Sequence, residues 1–311
     1  MYVFITCMYM YMSNYVLPEQ SLLSLPKNLK KKTSTLKEDE DQGEMDMIFF
    51  GGVLLFTIVQ SLLPIMYPNA EDFYYVTRFD IVMTNLWAFF PIVQAQGLFL
   101  KGLLICTAWY SILWHWSSNG LKFPGNSNTY GVLDTMFSTI IIISYAISWL
   151  PKAKTYKPTY EDEHGRWKWW YKSCRGPPKQ TSEWRCRWTP NLWLNVLVCS
   201  ILGTIYAYSW PPMWNGYDMS LVCCWASIAI AFVVAMWHLK MGEMTIGKKY
   251  RKRFIFWVFV GISMGIVSFI YKQRSNDGND KKWLMYHSVW HVYVFGSAYC
   301  MSRAQEYLEI Y

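Results

Sequence analysis

The sequence predicts an all-α integral membrane protein, a bundle of seven transmembrane helices preceded by one further hydrophobic segment. Three observations carry this. Apolar runs recur along the 311 residues, each near the roughly 20 residues that an α-helix needs to cross a bilayer. Only 16% of residues are charged, against roughly 25% in ordinary soluble domains. The chain also holds 18 Trp and 23 Tyr, side chains that favour the membrane–water boundary because one end is apolar and the other wet.

The elements follow in order. Residues 1–46 include the charged stretch "KNLKKKTSTLKEDEDQGE" and read as a disordered tail. Residues 47–67, "MIFFGGVLLFTIVQSLLPIMY", are either a signal peptide or an extra transmembrane helix. Seven apolar segments then run over Phe79–Gln96, Leu98–Trp116, Tyr130–Leu150, Leu192–Trp210, Met219–Leu239, Phe254–Tyr271 and Trp283–Met301. Together they define a seven-helix domain over 79–301, followed by a short tail over 302–311. Gly97 and Lys101 mark a tight turn between the first two.

Charge sets the expected orientation. The formal net charge is +8, and the positive residues concentrate in loops. That pattern fits cytosolic loops facing anionic lipid and argues against a nucleic-acid partner. The long loop after Leu150 and the loop holding Lys248, Lys249, Arg251, Lys252 and Arg253 fall on one side of a seven-pass bundle. The positive-inside rule makes that side cytosolic. The start of the bundle is then luminal or extracellular, and its C-terminus cytosolic. Lys272, Arg274, Lys281 and Lys282, read as the last loop, argue mildly the other way. The expected location is the plasma membrane or an endomembrane of the ER or Golgi. Of eight cysteines, Cys106, Cys199, Cys223, Cys224 and Cys300 lie in apolar segments and read as small packed hydrophobes. Cys174 and Cys186 share a basic loop on the expected cytosolic side and read as free thiols.

Polar residues inside the apolar segments carry the functional signal. Of five histidines, His164 lies in a charged loop, and His238 sits at a basic helix end where an interfacial role suffices. The other three are buried in the hydrophobic pattern. His115 ends the second segment, with Ser111 four residues earlier on the same helical face. His287 and His291 open the seventh with the same spacing. Asp134 lies at the start of the third. Alternation of the passes brings all five residues to one membrane face at similar depth, whichever way the protein is oriented. Three imidazoles with an open fourth position are the donor set of a catalytic zinc site. A neighbouring carboxylate can orient or deprotonate a water, and a serine hydroxyl can support an oxyanion. Taken one at a time, the same residues have blander uses: imidazoles that snorkel to water, a serine bonded to its own backbone, and an aspartate favoured near a helix N-terminus.

Ser111 and His115 in one helix, Asp134 in the next, and His287 and His291 in the last resemble the pattern of the CREST superfamily. That group includes alkaline ceramidases, progestin and adipoQ receptors, GPI-processing proteins and the myomaker family. The stretch "TNLWAFFPIVQAQGLFLKGLLICTAWYSILWHW", with Asn85, Pro91 and the short link to Ser111, looks most like the myomaker (transmembrane protein 8) branch. The chain departs from that branch at Trp116, Ser117 and Ser118, and from alkaline ceramidases at Thr135 and Met136. The resemblance implies a seven-helix bundle binding Zn2+ through His115, His287 and His291, with lipid tails entering between helices.

The resulting expectation is a zinc-dependent intramembrane hydrolase of a lipid amide or acyl ester. Ser111 and Asp134 are its catalytic residues, and membrane lipids are its surroundings and substrate. The alternative is a non-enzymatic, myomaker-like membrane fusion or receptor protein with a structural zinc site. A transporter ranks below both, because the sequence shows neither an inverted repeat nor a pair of broken helices.

Overall fold

Helix-forming residues continue without a break into the first apolar run, and the structure follows them. In the computed structural model, helix α1 (Lys27–Met66) is a single 40-residue helix. The model describes residues 27–95, 97–118, 127–149, 190–208, 213–214, 217–240, 250–276 and 282–309. The stretch 27–46, expected to be disordered, is therefore helical. Its Lys, Leu, Glu and Gln are good helix formers, and the apolar turns that follow supply the costly nucleus. Within α1, the hydroxyls of Thr57 and Ser61 donate to the carbonyls of Val53 and Thr57 at 2.7 and 2.8 Å. This α1 unit, bounded at Pro68, is one compact unit of the chain; the bundle beginning at Asn69 is the other.

The bundle starts earlier than the hydropathy pattern implied. The Asn69 side chain accepts a hydrogen bond from the Glu71 N–H at 3.2 Å and caps α2 (Ala70–Met83). The chain then tightens into the 3₁₀ segment η1 (Thr84–Ala88) and relaxes into α3 (Phe89–Gln94). Pro91 explains the change of pitch, since it has no N–H to give the carbonyl one turn back. Gly97 makes the expected tight turn with φ +94°, a conformation that glycine adopts without steric cost. Lys101 closes that turn, its backbone N–H reaching the Gly97 carbonyl and its Nζ the Val93 carbonyl.

Beyond the turn run α4 (Leu98–Ser118), α5 (Ser127–Ser148), α6 (Pro190–Tyr208), α7 (Met219–Lys240), α8 (Arg251–Asn276) and α9 (Trp283–Glu309). A hairpin of two-residue strands, β1 (Met213–Trp214) and β2 (Tyr217–Asp218), lies between α6 and α7. It is a small departure from the all-α expectation. Helix α9 is the axis of the bundle, packed against α8, α2, η1 and α3. Helix α4 packs on α5, and α5 reaches α6 and α7. One interhelical bond, Thr139 to the Tyr206 hydroxyl at 2.7 Å, ties α5 to α6.

Among the described residues, five helical stretches are long and apolar enough to cross a membrane: Gln42–Met66, Glu71–Gln94, Leu98–Ser117, Thr129–Ser148 and Arg251–Ser275. Shorter apolar stretches cover Leu194–Tyr208 and Val222–Trp237. Bundle helices also present large apolar side chains outward, among them Ile105, Trp109, Leu197, Phe232 and Phe259. A water-soluble domain rarely exposes so much contiguous apolar surface, so these features mark a membrane protein. Helix α9 does not join the five spans. It is buried almost throughout, and it carries buried polar side chains, among them His287, Ser288, His291, Ser302 and Gln305.

Two boundaries correct the sequence reading. Helix α9 continues to Glu309, so most of the expected C-terminal tail is packed helix. There Arg303 pairs with Glu306, Gln94 of α3 donates to the same Glu306 carboxylate, and the Arg303 guanidinium lies 5.2 Å from the centre of the Trp257 ring. This polar knot joins α9 to α3 and α8 about 18 Å along the helix from His291. Lys272 and Arg274, expected in a loop, lie within α8.

Candidate metal centre

His115 sits in the last turn of α4, and His287 and His291 in the first turns of α9. Four residues along a helix bring His287 and His291 onto one face about 6 Å apart along the axis. An apolar plug sets the approach of α4. Ile81 and Val82 of α2 and Leu284 of α9 form a buried cluster, with Ile112, Trp116 and Trp283 packed against it. The three imidazoles therefore meet in the interior.

Their ring centres lie 4.9 Å (His115–His287), 5.1 Å (His115–His291) and 4.8 Å (His287–His291) apart. One nitrogen of each ring falls within 4.8 Å of the other two, and all three residues are buried. Tetrahedral ligation at 2.0–2.1 Å places nitrogen pairs roughly 3.3 Å apart, so small ring rotations of about an ångström bring them to ligating distance. The Nε2 atom of His287 is buried with no hydrogen-bond partner. A buried polar atom left unpaired is costly, and a cation is the partner that a lone-pair nitrogen among imidazoles accepts. The donor set fits, and this cluster can hold a metal ion.

The orientation of His291 is fixed by a relay that the sequence did not reveal. The Thr84 hydroxyl donates to the Ile81 carbonyl at 3.0 Å, and its oxygen lies 3.1 Å from His291 Nδ1. With its proton committed to the carbonyl, Thr84 accepts from Nδ1–H. That leaves Nε2 of His291 deprotonated and facing the cluster, the usual way a protein orients a ligating histidine. Thr84 reaches this place because η1 tightens the chain just before Pro91. A hydroxyl at a helix-to-3₁₀ step ahead of a proline is the only sequence signal for it.

Ser111 reaches His291, and Asp134 reaches Ser111. Ser111 Oγ lies 3.5 Å from His291 Nε2 and shares a side-chain hydrogen bond with Asp134. Asp134 is 3% exposed, and its Oδ1 has no hydrogen-bond partner. Its carboxylate stands outside the group of ligating atoms, so it flanks the three nitrogens without completing them. Gly131, one turn earlier on α5, provides room for Trp114. A Cβ there would lie 2.9 Å from the indole Nε1. Trp114 in turn packs 4.6 Å from His115.

A cavity opens from this cluster into the bundle. His291, Ser111, Asn85 and Trp290 line one end, and Tyr145, Gly261, Ala298 and Met301 the other. From His291 to Met301 the cavity follows α9 for about 15 Å. Its walls are chiefly apolar, with Ile141, Ile142, Ile228 and Val294 among them. The five cysteines expected in apolar segments form no disulfide. His164, Cys174 and Cys186 lie outside the described residues, as does the side chain of His238. The chain matches no family model, no curated protein and no solved structure.

Proposed function

We propose that the protein is a zinc-dependent intramembrane hydrolase acting on a lipid amide or acyl ester, built as a seven-pass bundle of the CREST type near the myomaker branch. One observation carries this reading: three converging buried imidazoles meet, through His291 and Ser111, the polar end of an apolar cavity inside a membrane protein. His115, His287 and His291 would hold the ion. When bound, it supplies Lewis acidity and an activated water.

The chain's own residues do the rest. The apolar cavity takes the acyl chain and leaves the carbonyl at the polar end, beside Ser111. The Ser111 hydroxyl donates to the carbonyl oxygen as negative charge develops there. Asp134 accepts the proton of the attacking water and returns it to the leaving amine or alkoxide. Thr84 holds His291 in the ligating tautomer. The site opens toward the luminal or extracellular side of the plasma membrane or an ER or Golgi membrane, following the loop charges. In the rival structural reading, a fourth protein ligand closes the site. The position of Asp134 outside the ligand group favours the hydrolase.

The test is release of free fatty acid from N-acyl and ester lipids by detergent-purified, zinc-supplied protein, followed by mass spectrometry. Wild type should release fatty acid, and a folded His287→Ala/His291→Ala protein should not. Equal release by the two would sink the reading.

A further inference from the structure

A buried lysine stands beside the histidine cluster, and the mechanism above does not use it. Lys272 is 9% exposed, and its Nζ lies 4.4 Å from the centre of the Trp290 ring. On the same helix, Gln273 and Arg274 are exposed. A lysine near a helix end ordinarily extends to the interface; here Arg274 takes the outward position and Lys272 turns in. It shares its face of α8 with Ser268, one turn earlier, which lines the cavity. Trp290 lines the cavity too, and its ring lies 4.9 Å from those of His287 and His291.

Burying an ammonium is costly unless an opposite charge or a π face offsets it. Trp290 supplies the π face. Among the described residues, no carboxylate forms an ion pair with Lys272. Asp134 and all three imidazoles are within its electrostatic reach. A divalent ion on the histidines would add two positive charges, against the single negative charge that Asp134 can offer. The Trp290 indole Nε1–H is a second buried donor with no hydrogen-bond partner. A buried ammonium and an unpaired indole N–H, beside a site that would gain two positive charges with its metal, suit an anion.

We infer that Lys272, presented by Trp290, is an anion-recognition residue of this site, selecting lipids that carry a phosphate or carboxylate close to the scissile bond. This rests on the hydrolase reading for its substrate class, while the anion site itself can be tested without catalysis. A neutral ceramide-like lipid offers this ammonium no counter-charge; an acidic lipid does.

The experiment is calorimetric titration of the metal-loaded protein, in nonionic micelles, with dodecyl phosphate and with inorganic phosphate. Dodecyl phosphate should bind wild type at least about tenfold more tightly than Lys272→Met, the scale of one charge-assisted hydrogen bond. It should also bind at least about tenfold more tightly than inorganic phosphate, because the ligand is a lipid and not a free anion. Lys272→Arg should keep most of the affinity, which separates charge from packing, and Lys282→Met should be unchanged. Equal binding by wild type and Lys272→Met overturns the proposal. Inorganic phosphate matching the amphiphile overturns its lipid part. Lys272-dependent binding without any lipid cleavage would leave the anion site standing and remove the hydrolase. Cleavage with no preference for acidic lipids would do the reverse.

Discussion

An Asp134→Asn protein is expected to keep its metal and lose its hydrolysis. The substitution preserves shape and leaves an amide oxygen to accept from Ser111, so the polar end of the cavity stays in place. It removes the buried carboxylate that shares a hydrogen bond with Ser111, the group to which the proton transfer is assigned. Loss of a general base typically costs about 10²–10⁴-fold in rate. Metal content should not change, because the carboxylate stands outside the group of ligating atoms. Fatty-acid release and metal content measured on one preparation check both halves. A variant that loses its metal would make Asp134 a ligand and favour the closed structural site. A variant that cleaves at the wild-type rate would remove the proposed proton transfer.

Replacing Gly261 by Leu should destabilise the bundle where α8 and α9 meet. Gly261 and Gly265 stand four apart on α8, and the backbones of α8 and α9 approach closely along that strip. A Cβ at Gly261 would lie 3.0 Å from Met301 Sδ and 3.2 Å from Cys300 Cβ. The Ser297 hydroxyl donates across the gap to the Gly261 carbonyl at 2.7 Å. Small residues that let two helices meet, reinforced by an interhelical hydrogen bond, are how helices associate where lipid removes the hydrophobic drive. Leucine pushes α9 from α8 at Cys300 and Met301, about 15 Å along α9 from His291. Overpacking of this kind costs about 1–3 kcal/mol. Gly102→Leu is the control, since a Cβ there meets nothing within 4 Å. Thermal unfolding in detergent should show a lowered midpoint for Gly261→Leu alone.

The sequence exposed the site more completely than its supports. Histidine and aspartate are rare in apolar helices because burying them is costly, so His115, Asp134, His287 and His291 stood out from the hydrophobic pattern. Helix spacing predicted that His287 and His291 share a face, and the structure brings His115 to them. Thr84 stayed hidden because threonine is unremarkable in such a helix; its role depends on a local change of pitch that only the folded chain shows. Lys272 was misplaced for a related reason. Hydropathy ends a helix where charge begins, whereas α8 continues for five residues beyond Tyr271. The same bias hid the packed end of α9, where Arg303 and Glu306 satisfy each other. Charged residues that pair inside a bundle look like a tail to any pattern based on polarity. The helical stretch at 27–46 was missed because composition alone cannot see the apolar helix that nucleates it.

Metal content bears most directly on the central claim. Inductively coupled plasma mass spectrometry on detergent-purified wild type should find about one zinc per chain, as a single three-histidine site requires. The His287→Ala/His291→Ala protein, shown to be folded by its elution and helicity, should hold none. A folded wild type without stoichiometric metal, or a double variant that keeps it, would contradict the assignment of these three histidines.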